Sequence, residues 1–134
     1  MAVQEYKKSR HSAYLLHAHI VFVTKYRKKI FGDAHLEYLQ FTMKSLCEEL
    51  GVDLKDCNGE SDHIHLLIEY PPTVQLTKLI TSLKSVSSRR MRGQFADLCG
   101  AYRKPILWSR SYFVTSCGGA PLSIISNYVK NQRG

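Results

Sequence analysis

The order of sequence-predicted elements, β-α-β-β-α-β with a further helix at the C-terminus, points to an α+β fold of the ferredoxin-like (RRM-like) type. Three observations carry this. Stretches of period-two alternation rich in β-branched and aromatic residues mark four strands. Two long segments with apolar residues at helical spacing separate them in the split βαβ order. And 134 residues suffice for a single domain, 1–134, and no more. An antiparallel sheet of this type carries its helices on one face and leaves the other open, a common platform for nucleic acid.

Taken in order, residues 1–12 are polar and basic and read as a flexible arm. Tyr14–Lys25 reads as the first strand, with His17, His19, Val21 and Val23 on one side and Leu16, Ala18, Ile20 and Phe22 on the other. Asp33–Leu50 is an amphipathic helix through Leu36, Leu39, Met43, Leu46, Cys47 and Leu50, with Asp33 as N-cap and Gly51 as its stop. Val52–Asn58 is a more polar second strand, and Asn58-Gly59 is a hairpin-turn signal. Asp62–Tyr70 alternates cleanly: His63, His65, Leu67 and Glu69 against Ile64, Leu66, Ile68 and Tyr70. Pro71-Pro72 ends it, and Thr73 caps a long helix from about Val74 to Leu98. Tyr112–Cys117 is the fourth strand, Gly118-Gly119 a joint, and Pro121 opens a final helix over 121–132.

Hydrophobic residues make up 44% of the chain, ordinary for a globular protein and too many for a disordered one. No apolar run approaches the roughly 20 residues of a membrane span, and no signal peptide is recognisable, so a cytoplasmic, nucleoid-associated protein is expected. Nineteen Lys and Arg against eleven Asp and Glu give a net charge of +8, which suits a polyanionic partner. After Asp97 the cations Arg103, Lys104, Arg110, Lys130 and Arg133 are unopposed. Lys25, Arg27, Lys28 and Lys29 form a second basic run. With Lys84, Arg89 and Arg90 of the long helix, the residues Lys25, Arg27, Lys28 and Arg110 are the candidate DNA contacts. Cys47, Cys57, Cys99 and Cys117 match no zinc-finger or C-x-x-C spacing and are expected to be reduced and mostly buried.

His63-Ile64-His65 is the sharpest chemical feature. On a strand, positions i and i+2 point the same way, so both imidazoles project from one face and can share a divalent ion. Asp62 stands where it can orient one ring, or serve as a plain turn residue. His17-Ala18-His19 has the same spacing on another strand, and spacing alone does not choose between the pairs. If the first and third strands are neighbours, His17 or His19 joins the same face. In the final helix Leu122, Ile125 and Val129 make the apolar stripe, flanked by Tyr128 and Gln132 one turn apart. A tyrosine there is most often a packing residue; its chemical use would be covalent catalysis at a phosphodiester, with Gln132 offering a neutral oxygen ligand. Trp108 and Tyr112 are capable of stacking on unpaired bases, although core packing is the commoner role for a lone tryptophan.

Together these residues resemble the single-tyrosine HUH transposases of small prokaryotic insertion sequences, the IS200-like kind. The landmarks are Thr24-Lys25-Tyr26-Arg27-Lys28, Asp62-His63-Ile64-His65-Leu66-Leu67, Leu83-Lys84, Ser88-Arg89, Leu107-Trp108, Ser111-Tyr112-Phe113, Gly118-Gly119-Ala120-Pro121 and Asn127-Tyr128 with Gln132. The resemblance implies that His63 and His65 bind Mg²⁺ or Mn²⁺, that Gln132 is the third protein ligand, and that Tyr128 is the nucleophile. It implies cleavage of single-stranded DNA beside hairpins at element ends, a 5′-phosphotyrosine intermediate, and a homodimer in which chains can share active sites. His17 and His19 have no metal role in that pattern. Three other readings stay in view. One is a domesticated REP-associated tyrosine transposase. Another is a non-catalytic single-stranded nucleic-acid-binding module. The third is a metal-dependent phosphoesterase that uses water.

Overall fold

A computed structural model describes residues 16–116 in full, together with the backbone of residues 7–8 and 13–14. Cys117, Gly118-Gly119, the expected helix 121–132, and with it Tyr128 and Gln132, lie outside the described residues.

Four antiparallel strands form the sheet: β1 (Leu16–Thr24), β2 (Asp53–Glu60), β3 (His63–Tyr70) and β4 (Trp108–Ser116), in the order β2-β3-β1-β4. Helices α1 (Asp33–Glu49) and α2 (Leu76–Gln94) and a short α3 (Ala96–Cys99) complete the ferredoxin-like α+β architecture, with the helices on one face. Lys7–Lys8 pairs antiparallel with Ala13–Tyr14 inside the N-terminal segment. Among the described residues no helix is long and apolar enough to cross a membrane.

Strand alternation decides which face meets the helices. Ala18, Ile20 and Phe22 of β1 and Ile64, Leu66 and Ile68 of β3 have no solvent exposure. They pack against Leu39, Met43 and Leu46 of α1 and Leu79, Ile80, Leu83 and Met91 of α2 in one continuous core. Burying each of the Ile, Leu, Met and Phe side chains contributes roughly 1.5–3 kcal/mol. The alternate residues, including His17, His19, His63 and His65, therefore face the other way.

The structure corrects several boundaries. The hairpin between β2 and β3 turns at Ser61-Asp62, because Gly59 and Glu60 still pair with Ile64 and His63. Gly59 serves close approach instead: a Cβ there would come within 2.8 Å of the His63 carbonyl oxygen and 2.9 Å of Leu36. The N-cap of α1 is Gly32, one residue before Asp33; Nδ1 of His35 accepts the Gly32 N–H at 2.8 Å and so satisfies an N-terminal donor. Gly51 does end that helix, at φ +75°, the left-handed conformation a C-terminal glycine supplies.

The second helix starts at Leu76 with Gln75 as N-cap, since Val74 is tied into a turn by its N–H to the Pro71 carbonyl. It breaks at Phe95, whose backbone is extended (φ −123°, ψ 111°). The aromatic ring of Phe95 is drawn against His35 (4.5 Å between centroids) and Tyr38 (5.7 Å), and Asp97 beyond it pairs with His35 at 2.9 Å. These contacts to α1 outweigh continuation of the helix. β4 begins four residues before the expected Tyr112, where Trp108 pairs with Thr24 across a register shift. Trp108 is buried and donates its indole N–H to Ser87 Oγ at 3.0 Å, a core role.

Of the described cysteines only Cys47 is fully buried; Cys57 is half-buried and Cys99 exposed, so burial is less general than expected. Burial raises Cys47 to about 11, with Glu48 adding to it, and Cys57 to about 12, with Cys47 and Asp56 adding to it. Both are thiols, not thiolates, at neutral pH.

Candidate functional site

The histidine pair sits at the start of β3, on the sheet face opposite the helices. His63 and His65 project side by side, ring centroids 4.8 Å apart and nearly perpendicular (81°). Nδ1 of His63 lies 2.8 Å from Oδ1 of Asp62, and the other Asp62 oxygen meets the Arg27 guanidinium at 3.3 Å. The hydrogen bond from His63, helped by Arg27, holds the Asp62 carboxyl below the usual carboxylate range. The Asp62 carboxylate can only accept, so in a neutral His63 the proton sits on Nδ1 and Nε2 keeps a lone pair for a ligand.

His65 has a different partner. β1 and β3 are neighbours, with Val21 opposite His65 and His19 opposite Leu67. The diagonal brings Nε2 of His19 to 3.2 Å from Nδ1 of His65. Burial, then the proximity of His63 and His19, lowers the pKa of His65 and favours its neutral form. His17 lies opposite Glu69, farther along the strand. Of the first strand's two histidines, the structure therefore brings His19 to the pair. Among the described residues no three His, Cys, Asp or Glu side chains are grouped to hold a metal. Two imidazoles on one strand, one oriented by a carboxylate, are a donor set that fits a divalent ion completed by further ligands.

The basic candidates divide. Lys25, Lys28 and Arg110 line a cleft of about 930 Å³ together with Arg103 and Lys104, walled by Tyr26, Tyr102 and Trp108. Lys28 Nζ donates to the Ala101 carbonyl at 2.9 Å and lies 4.9 Å from the Tyr102 ring centre, while Tyr102 donates to the Lys25 carbonyl at 2.6 Å. In the sequence Tyr26 stands only as part of the Thr24–Lys28 landmark, with no role of its own, and Tyr102 is not singled out. Tyr26 is 76% exposed, and Tyr26 and Arg27 both have positive φ (60° and 52°). Such backbone costs on the order of 1–3 kcal/mol per residue and clusters at functional sites. Lys84, by contrast, uses two donors on the carbonyls of Ser109 (2.8 Å) and Arg110 (2.9 Å), bracing α2 against β4. Arg89 is exposed on α2, and Arg90 approaches Glu49 at 3.7 Å. Phe113, 58% exposed, stands on the histidine face with its ring edge-on to His19 at 6.5 Å. Tyr112 instead lies edge-on to Phe22, with Lys84 5.5 Å from its ring centre.

A family model described as "Transposase IS200 like" matches residues 12–132. The chain belongs to that family. The transposase for insertion sequence element IS200 of Salmonella typhimurium is 32% identical over 126 residues, spanning 94% of this chain and 82% of the relative. The ISDra2 transposase TnpA of Deinococcus radiodurans is 25% identical over 128 residues, 96% and 91% of the two chains. A crystal structure assigned as a transposase from Deinococcus radiodurans superimposes on this transposase with a TM-score of 0.78 at 28% identity, over 94% and 97% of the chains. A REP-associated tyrosine transposase, solved bound to a REP hairpin, shares the fold at 10% identity (TM-score 0.55; 92% and 67% covered).

Proposed function

We propose that this transposase cuts and rejoins single-stranded DNA through a covalent 5′-phosphotyrosine on Tyr128, using Mg²⁺ or Mn²⁺ held by His63, His65 and Gln132. The observation that carries the reading is the pair of imidazoles presented from one strand, with His63 tied through Nδ1 to Asp62. Tyr128 and Gln132 enter because both fall within the family match.

The Tyr128 oxygen attacks the scissile phosphorus and the bond to O3′ breaks. The phenol gives up its proton on attack, the departing 3′ oxygen takes up one in its place and leaves as a free hydroxyl, and the 5′-phosphate stays on the tyrosine. The reverse attack by a 3′-hydroxyl releases the tyrosine, so rejoining needs no nucleotide cofactor. When bound, the metal supplies Lewis-acid withdrawal of charge from the phosphate oxygens. His63 and His65 would hold it through ring nitrogens, and the Asp62 carboxylate favours the His63 tautomer that can.

The DNA contacts in this reading are Lys25, Arg27, Lys28, Lys84, Arg89, Arg90 and Arg110. Lys25, Lys28 and Arg110 receive the most support, because they share the basic cleft with exposed Tyr26, a candidate platform for an unpaired base. A hairpin at the element end is the substrate, in keeping with the hairpin-bound relative. The enzyme acts at the nucleoid as a homodimer, whose chains can share active sites.

The test is cleavage of an end-labelled hairpin oligonucleotide with a single-stranded flank. The wild type should cut only with Mg²⁺ or Mn²⁺, and His63→Ala and His65→Ala should lose cutting while still binding the hairpin. Hairpin binding without cutting under any metal condition would favour a non-catalytic binding module.

A further inference from the structure

We propose that His19 is a positioning residue for the metal centre: it accepts the Nδ1–H of His65 and so commits His65 Nε2 to the cation. The inference rests on the assignment of His63 and His65 as metal ligands made above.

The register creates the contact. His19 pairs with Leu67 and His65 with Val21, so the two imidazoles are diagonal neighbours on adjacent strands, a separation that long or ring side chains bridge. Their rings are parallel to within 9°, with centroids 5.3 Å apart and facing nitrogens 3.2 Å apart. A face-to-face stack with that centroid spacing would hold the nitrogens on different levels and farther apart. The rings therefore meet nearly edge to edge, the geometry of an N–H···N hydrogen bond.

Such a bond requires one nitrogen with a proton and one with a lone pair. Only two neutral arrangements satisfy it. If His19 Nε2 donates, His65 carries its proton on Nε2 and has no lone pair left for a ligand. If His65 Nδ1 donates, Nε2 of His65 is free, and His19 carries its own proton on Nδ1. A metal-binding His65 is compatible with the second arrangement alone, because His19 also blocks approach to Nδ1. Asp62 does the same for His63 through a carboxylate. Each ring of the pair thus has its Nδ1 occupied by a different residue, and both Nε2 atoms are left to the metal. His19 is held for this role by its place in β1, paired with Leu67 on one side and Thr115 on the other, and by Phe113 against its ring.

The experiment uses the full chain, free of metal, with ¹⁵N-labelled histidine at a pH where the rings are neutral. Long-range ¹H–¹⁵N correlation should show His65 as the Nδ1–H tautomer. His19→Phe should move His65 toward Nε2–H and weaken Mn²⁺ binding, measured as free Mn²⁺ by electron paramagnetic resonance, by roughly 10–100-fold. His19→Gln, whose Oε1 can accept the same N–H, should restore most of both signals, which separates positioning from a mere loss of folding. A wild-type His65 in the Nε2–H form overturns the proposal, as does wild-type Mn²⁺ affinity in His19→Phe when His65→Ala has lost it. Undiminished Mn²⁺ binding by His65→Ala instead overturns the ligand assignment itself, and the proposal with it.

Discussion

Asp62 Oδ1 and His63 Nδ1, on consecutive residues at the tip of the β2–β3 hairpin, are 2.8 Å apart. Adjacent residues on a regular strand point to opposite faces and do not meet in this way. Asp62 is in the turn, outside the strand, and that places its carboxylate beside the ring. The Thr24 N–H donates to the Asp62 carbonyl at 2.9 Å and anchors the turn to the end of β1.

Asp62→Ala should therefore weaken Mn²⁺ binding by roughly 10–100-fold with little change in secondary structure, because His63 loses the acceptor that fixes its tautomer. Calorimetric or paramagnetic titration of the purified variant checks it. Unchanged affinity would make Asp62 a turn residue only.

The pH response follows from His65. Its folded pKa is lowered, chiefly by burial and then by His63 and His19, so the unfolded chain takes up the proton first. Stability attached to this group is complete above the ordinary imidazole value, near pH 6.5, and falls as pH drops through it. In the metal-free protein the His65 ring, followed by NMR, should titrate below an unperturbed histidine. A midpoint at or above that of a histidine peptide contradicts this.

Gly59→Ala tests the hairpin. The added methyl would press on the His63 carbonyl and on Leu36, and the carbonyl belongs to a proposed ligand's own backbone. The expected cost is about 1–3 kcal/mol in denaturant unfolding, with Mn²⁺ affinity reduced as well. An unshifted midpoint would show that the hairpin accommodates the methyl freely.

Much of this arrangement is legible in the sequence. The i, i+2 rule places His63 and His65 together, and strand alternation separates Ile20 and Phe22 from His19. What stayed hidden depends on non-local contacts. That His19, not His17, reaches His65 is a matter of register between two strands. Asn58-Gly59 has turn chemistry, yet pairing with β3 continues through it, and Gly59 answers a steric demand from Leu36 on another element. The helix break at Phe95 is invisible to periodicity because rings on α1 impose it. Tyr26 and Tyr102 are separated in sequence by 76 positions and join the same cleft only through the fold.

The most direct measurement is the site of covalent attachment. Wild-type protein incubated with a hairpin oligonucleotide and Mn²⁺ is denatured, digested with trypsin and nuclease, and sequenced by mass spectrometry. Peptide 111–130 contains both Tyr112 and Tyr128, so fragmentation must distinguish them. The prediction is a 5′-linked nucleotide on Tyr128, absent from Tyr128→Phe. DNA cut to completion with no modified tyrosine, or with cutting undiminished in Tyr128→Phe, would contradict the account.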